Sequence, residues 1–183
     1  MVNQNKLKMR LRLTLQHPPN QVLPINYQYL VSSWIYHTLG NADKAFAKEL
    51  HDNGYDFGGK KYKLFTFGAL TPKWYDVNKK QATFTLSKSP TTLELSFYID
   101  DALQHFVIGL FKDQRFELSS GRFQANFEVS GIEMLPMPTF EDTMRFQLLT
   151  PLCVSRNIED RKHAHYASPD EDGYVELLSL IHI

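Results

Sequence analysis

From residue 6 to residue 15 the chain alternates strictly. Leu7, Met9, Leu11, Leu13 and Leu15 fall on one side of an extended backbone, and Lys6, Lys8, Arg10, Arg12 and Thr14 on the other. The pattern predicts a half-buried strand. The period then lengthens. Leu30, Val31, Trp34 and Ile35 share one face at helical spacing and predict a helix over 27–39, with Asn26 as N-cap and Gly40 just past its end. On that helix Tyr29 and Tyr36 point away from the apolar stripe. A second, shorter helix is predicted from Ala42 to Asp52, capped by Asn41 and ended by Gly54, with Ala42, Phe46 and Leu50 as its buried stripe.

Strand patterns come next at 62–70, 82–86 and 93–99, the last two separated by a turn at Ser89-Pro90. Asp100 is placed to cap a helix running to Lys112, whose apolar face is Leu103, Phe106, Val107 and Leu110. Phe123, Ala125, Phe127 and Val129 alternate as a closing strand that reaches Met134. The order strand, helical pair, strands, helix, strand is that of a ferredoxin-like (RRM-like) α+β domain, β-α-β-β-α-β. Pro136-Met137-Pro138 marks its end, giving a first domain over 1–138. Residues 139–183 are expected to begin a second domain, with Arg145–Val154 as its opening strand. The chain closes on Leu177-Leu178-Ser179-Leu180-Ile181-His182-Ile183, an apolar run with no partner element in sequence, and so is expected to be cut short.

Composition adds three bounds. One cysteine in 183 residues excludes an internal disulfide framework and fits a cytoplasmic protein. No apolar run reaches membrane-spanning length, and the N-terminus lacks the apolar core of a signal peptide. The net charge of zero conceals an asymmetry: residues 1–90 carry 13 Lys/Arg against 5 Asp/Glu, and residues 91–183 carry 7 against 15. A basic half can bind a polyanion although the whole chain is neutral. The same asymmetry also fits two solvated surfaces that attract each other and mediate self-association. The cationic row Lys8, Arg10 and Arg12 reads equally as a phosphate-tracking surface or as a solvated strand face.

One stretch carries a more specific signal. Residues 23–67 contain Leu23-Pro24-Ile25-Asn26-Tyr27, Ser33-Trp34-Ile35-Tyr36, Leu50-His51-Asp52-Asn53-Gly54-Tyr55 and Lys63-Leu64-Phe65-Thr66-Phe67. This resembles the sixth family of Cas proteins, the CRISPR repeat-RNA endoribonucleases of the repeat-associated (RAMP) superfamily. The resemblance implies two ferredoxin-like domains in tandem and a metal-independent endoribonuclease that needs no cofactor. It also implies a substrate, the CRISPR repeat transcript, and products with a 2′,3′-cyclic phosphate and a 5′-hydroxyl. The implied partners beyond the repeat RNA are subunits of a CRISPR effector complex and a second copy of the chain. The family's glycine-rich C-terminal segment has no counterpart, since Gly173 is the last glycine.

The family motif falls on Tyr36, His51 and Lys63. By resemblance, His51 is a general acid or base, Tyr36 positions the 2′-hydroxyl, and Lys63, Lys60 or Lys61 stabilises the charged transition state. The chemistry suits the residue types. Attack of a 2′-hydroxyl on its own phosphate needs a base, an acid and positive charge on the phosphorane, and histidine titrates near neutrality. Read without the resemblance, His51 is a helix-end residue meeting carbonyls, where positive charge is favoured, and Tyr36 is a surface tyrosine. Lys60 and Lys61 come after Gly58-Gly59 and read as a basic loop near RNA, not a P-loop. The alternative function is a non-catalytic ferredoxin-like subunit that holds RNA. His37 projects about 100° away from Tyr36 and reads as structural. His163 and His165 form a weak candidate metal pair without a third ligand, and Cys153 reads as a buried strand residue.

Overall fold

The computed structural model describes residues 9–57, 60–63, 65–121, 123–145, 147, 154–156 and 165–179. Lys8, Cys153, His163 and most of the expected strand over 145–154 lie outside them. The chain divides into two compact units, Met1–Pro138 and Thr139–Ile183.

In the first unit the chain runs through β1 (Met9–Gln16), β2 (Gln21–Pro24), α1 (Gln28–Ala42), α2 (Lys44–Asp52), β3 (Tyr55–Phe57), β4 (Lys60–Tyr62) and β5 (Phe65–Phe67). It continues through β6 (Thr71–Asn78), β7 (Thr83–Phe97), α3 (Asp100–Lys112), β8 (Arg115–Ser120) and β9 (Phe123–Leu135). β7 is the hub of an antiparallel sheet. β2 and β1 pair along one of its edges, and β6 and β5 along the other. β9 lies beyond β1, and β8 is outermost. The main strands β6-β7-β1-β9 lie in the order of a ferredoxin-like fold, with the short strands and β8 added at its margins. β3 and β4 form a separate small hairpin.

Alternation decides which face is covered. Leu11, Leu13 and Leu15 of β1 and Leu93, Leu95 and Phe97 of β7 are buried in one core with Val31, Trp34, Ile35 and Leu39 of α1 and Leu103, Phe106 and Leu110 of α3. Trp34 stacks on Phe116 at 3.9 Å between centroids and meets Phe106 edge-on at 5.8 Å. α1 and α3 touch backbone to backbone. A Cβ placed on Gly109 would lie 1.8 Å from the Thr38 carbonyl oxygen, so only glycine fits there.

The opposite face is charged and internally paired. Arg12 lies in register between Glu94 of β7 and Glu133 of β9 and bridges both, at 2.8 and 3.3 Å, while Arg10 reaches Glu94 at 3.2 Å. Arg10 and Arg12, the described members of the expected row of cations, are therefore answered by carboxylates on the neighbouring strands. These pairs are half-exposed and each contributes only about 0–1 kcal/mol.

Several local expectations change, among them the cap of α3, where Ile99 takes the position expected of Asp100, without a side-chain bond. The strands predicted at 82–86 and 93–99 are one, β7. Ser89 and Pro90 interrupt nothing, because they lie between the residues that pair with β2 and those that pair with β1, where Pro90's missing N–H costs no ladder bond. The strand predicted over 62–70 is broken into β4 and β5. α1 runs through Gly40 to Ala42, and Asp43, not Asn41, caps α2 by accepting from the Phe46 N–H at 3.0 Å. Asn26 misses the cap of α1 by one residue; Tyr27 takes that position without a side-chain bond. β8 and β2 carry no sequence pattern strong enough to announce them.

The second unit contains β10 (Ser155–Arg156), β11 (His165–Tyr166) and α4 (Tyr174–Ser179), with β10 and β11 antiparallel. His165 Nε2 lies 2.6 Å from Glu171 Oε2, and Glu171 also accepts from the Ser168 N–H at 2.9 Å. The imidazole thus serves a turn. Among the described residues no cluster of His, Cys, Asp and Glu has the geometry of a metal site.

Two glycine substitutions in the helical layer should move stability in opposite directions. Gly109→Ala should cost about 3 kcal/mol through overpacking against Thr38. Gly40→Ala, whose Cβ would meet only Ala47 at 3.7 Å, should gain about 0.5–1 kcal/mol from helix propensity. Urea titrations of both variants beside the parent chain measure the difference.

Candidate active site

Three elements converge at the end of α2. Tyr36 lies in α1, His51 in the last turn of α2, and Lys63 just after β4. The Tyr36 and His51 rings meet edge-on, with centroids 5.0 Å apart and planes at 79°. Tyr36 makes a similar contact with Phe65 of β5 at 5.4 Å. It is therefore half-buried against the core and not the free surface tyrosine that helical periodicity alone suggests. The periodicity of one helix cannot register a wall supplied by a later strand. Burial pushes the Tyr36 phenol upward, so it presents a neutral hydroxyl at neutral pH.

Lys63 is fixed by the backbone. Its Nζ donates to the Leu50 carbonyl at 2.8 Å and to the His51 carbonyl. The ammonium therefore sits on the orphan carbonyls of a helix C-terminus, where positive charge is stabilised. An ammonium has three N–H donors, and these two bonds leave one for another acceptor. The chain can return this closely because of Gly54, just past α2 at φ +63°. A Cβ there would lie 2.6 Å from the Tyr62 carbonyl oxygen and 3.3 Å from Lys63 Cδ.

His51 is exposed, with 66% of its side chain accessible, and its Nδ1 lies 3.0 Å from Asp52 Oδ1. The same contact lowers the Asp52 pKa, first through the hydrogen bond from His51, so the carboxylate is ionised. An ionised carboxylate can only accept, which places the proton on Nδ1 and leaves Nε2 as the ring's acceptor nitrogen, available for proton transfer. Asp52 orients the ring and was not among the residues singled out by sequence. Its signal was only its place next to His51.

The remaining candidates are more scattered. Lys61 is exposed and lies opposite Asp56 in the β3–β4 hairpin, and Lys60 occupies β4 opposite Phe57. Arg10 and Arg12 lie on the open face of the main sheet in their carboxylate pairs. His37 is exposed and lines a different recess with Ser33, Asn41 and Ser119.

Residues 22–130 match the family model described as CRISPR-associated protein Cas6, N-terminal. CRISPR-associated endoribonuclease Cas6 1 of Methanocaldococcus jannaschii is 31% identical over 130 residues, which are 71% of this chain and 46% of that protein. The chain thus spans about half the length of this curated relative. Among solved structures, one titled CRISPR associated protein Cas6 aligns with a TM-score of 0.61 and 27% identity over 91% of this chain and 65% of its own. The fold is also that of the structure titled Characterization of a Cas6-related gene from Pyrococcus furiosus, with a TM-score of 0.73, 20% identity, and coverage of 95% and 68%.

The helix-end arrangement has its own test. Lys63→Met keeps the aliphatic stem and removes the donors, and should lower stability by about 1 kcal/mol in urea titrations. The Asp52 contribution has a definite sign. Its folded pKa lies below the ordinary 3.8, so the stabilisation is present above that value and is lost as pH falls through the depressed one. Carried into the acid range, the parent should therefore lose stability more steeply than Asp52→Asn.

Proposed function

We propose, given that the chain belongs to the Cas6 family of CRISPR-associated proteins, that it cuts CRISPR repeat RNA by attack of a 2′-hydroxyl on the adjacent phosphate. The observation that carries this reading is the convergence of Tyr36, His51 and Lys63 on one helix end. They come from three separate segments of the chain and bring an imidazole, a neutral hydroxyl and an ammonium to one place.

In the reaction the 2′-oxygen bonds to phosphorus and the bond from phosphorus to the 5′-oxygen breaks. The 2′ proton leaves to a base, and the departing 5′-oxygen takes a proton from an acid. His51, with Nδ1 held by Asp52, offers Nε2 for one of these transfers. Tyr36, as a neutral hydroxyl, positions the 2′-hydroxyl by hydrogen bonding. Lys63 offers its remaining N–H to a phosphorane oxygen, and Lys60 and Lys61 lie close enough in sequence to share that task. The products carry a 2′,3′-cyclic phosphate and a 5′-hydroxyl, and no metal takes part. Lys8, Arg10 and Arg12 belong to this proposal as phosphate contacts. For the two arginines, binding would exchange a carboxylate partner for a phosphate.

The cytoplasm is the proposed compartment. Among the described residues no helix is long and apolar enough to cross a membrane. Residues 139–183 are proposed as the start of a second ferredoxin-like domain, and assembly with effector-complex subunits or a second copy as a further step. A second reading, an RNA-holding subunit that does not cut, is favoured by one observation: two of the Lys63 donors are already committed to carbonyls.

The two readings separate in one experiment. A labelled repeat RNA is incubated with the chain in EDTA, beside the same RNA with a 2′-deoxy at the scissile position. Cutting of the first only is expected. His51→Ala should slow it about a hundred- to ten-thousand-fold with binding nearly unchanged. Binding without cutting by the parent chain would establish the RNA-holding reading, and undiminished cutting by His51→Ala would remove His51 from the mechanism.

A further inference from the structure

The β6–β7 hairpin carries a set of side chains that the cleavage reaction leaves unused. β6 is exposed for almost its whole length. Trp74 and Tyr75 on it are 62% and 56% exposed, which is unusual for large aromatics. Each has a mount. Trp74 lies in register with Lys88 of β7, whose Nζ sits 5.6 Å from the indole centroid. Tyr75 lies 5.2 Å from Phe84, which in turn stacks on Tyr27 at 5.8 Å, and Tyr27 is fixed by accepting the Leu70 N–H at 2.8 Å. Beside Tyr75 opens an apolar recess of about 340 Å³ lined by Ile25, Leu70, Pro72, Val77 and Phe84.

The turn that closes the hairpin is ordered. Asn78 Oδ1 accepts from the Gln81 N–H at 3.1 Å, and the Ala82 carbonyl accepts from the Ile25 N–H at 2.9 Å. It presents Lys79 and Lys80. Residues 71–90 hold four lysines, Lys73, Lys79, Lys80 and Lys88, against the single carboxylate Asp76. Among the described residues none of these lysines forms an ion pair, in contrast to Arg10 and Arg12.

Exposed rings on ordered mounts, ringed by uncompensated cations, match one class of partner. Unpaired RNA offers flat bases to the rings and phosphates to the lysines. A protein partner would use the rings and the recess but would leave a surplus of positive charge unanswered. We infer that the β6–β7 hairpin is a second RNA-contacting surface, distinct from the Tyr36–His51–Lys63 site, on which Trp74 and Tyr75 stack unpaired bases and Lys73, Lys79, Lys80 and Lys88 meet the phosphates. The inference rests on the reading of the chain as an RNA-binding protein, and not on its cutting RNA.

The test reads binding alone. The full chain carrying His51→Ala is titrated with a fluorescein-labelled single-stranded repeat RNA, with the same RNA annealed to its complement, and with an abasic strand of equal length. The other tryptophan, Trp34, is buried, so quenching of indole emission by the single strand reports Trp74 and should vanish in Trp74→Phe. Trp74→Ala should weaken single-strand binding roughly five- to hundred-fold. Trp74→Phe should restore most of it, and the affinity for the abasic strand should not respond to either change. Unchanged single-strand affinity in Trp74→Ala and Tyr75→Ala would overturn the inference and leave the rings to a protein partner. An equal loss for ordinary and abasic strands would also overturn it, because stacking would not be the cause. A parent chain that binds in the expected way but never cuts would sink the cleavage proposal and leave this surface standing.

Discussion

The first unit depends on one close approach, the Thr38 carbonyl of α1 against the bare Cα of Gly109 in α3. Nothing larger than hydrogen fits between them. The contact sets how closely α1 packs against α3, and the candidate site is built outward from α1. Tyr36 lies two residues before Thr38. α2 begins after the single residue Asp43, which ends one helix and caps the next. The position of His51 is therefore inherited from the helix layer. Lys63 then closes the arrangement from the other side, arriving over Gly54 onto the carbonyls of Leu50 and His51.

Among the described residues, some cations have partners within the fold and others do not. Arg10 and Arg12 neutralise carboxylates across the sheet, Lys63 and Lys112 sit on helix-end carbonyls, and Arg115 pairs with Glu128. These cations are answered within the fold. Among the described residues the lysines of the β6–β7 hairpin form no ion pair and sit on no helix end; Lys88 alone has a partner, the Trp74 ring. A count of charge by halves of the chain cannot make this distinction, since Glu94 and Glu133 lie in the acidic half and reach their arginines only through strand pairing.

Much of the architecture was legible because its signals are periodic and local. The alternation in β1 and β9 and the helical stripes of α1 and α3 each record one neighbour on one face. Some misreadings occur where the deciding partner is distant in sequence. Ser89-Pro90 reads as a turn until β1, β2 and β6 pair around it, and Tyr36 reads as surface until Phe65 arrives. Gly40 reads as a helix end because glycine usually is one, while Asp43, three residues on, has the better cap. At the candidate site the motif residues were visible, and Asp52 was not, because a carboxylate beside a histidine is common and only the 3.0 Å geometry gives it meaning.

The unbroken run of β7 has one more consequence. Phe65 of the candidate cleavage site lies opposite Phe97, and Trp74 lies opposite Lys88, on the same edge of the same strand. Nine strand positions separate them, about 30 Å of pleated chain. A strand cannot stretch, so β7 acts as a ruler. On the proposed function, the spacing between a base held at Trp74 and the candidate cleavage site is therefore set by the register of β7.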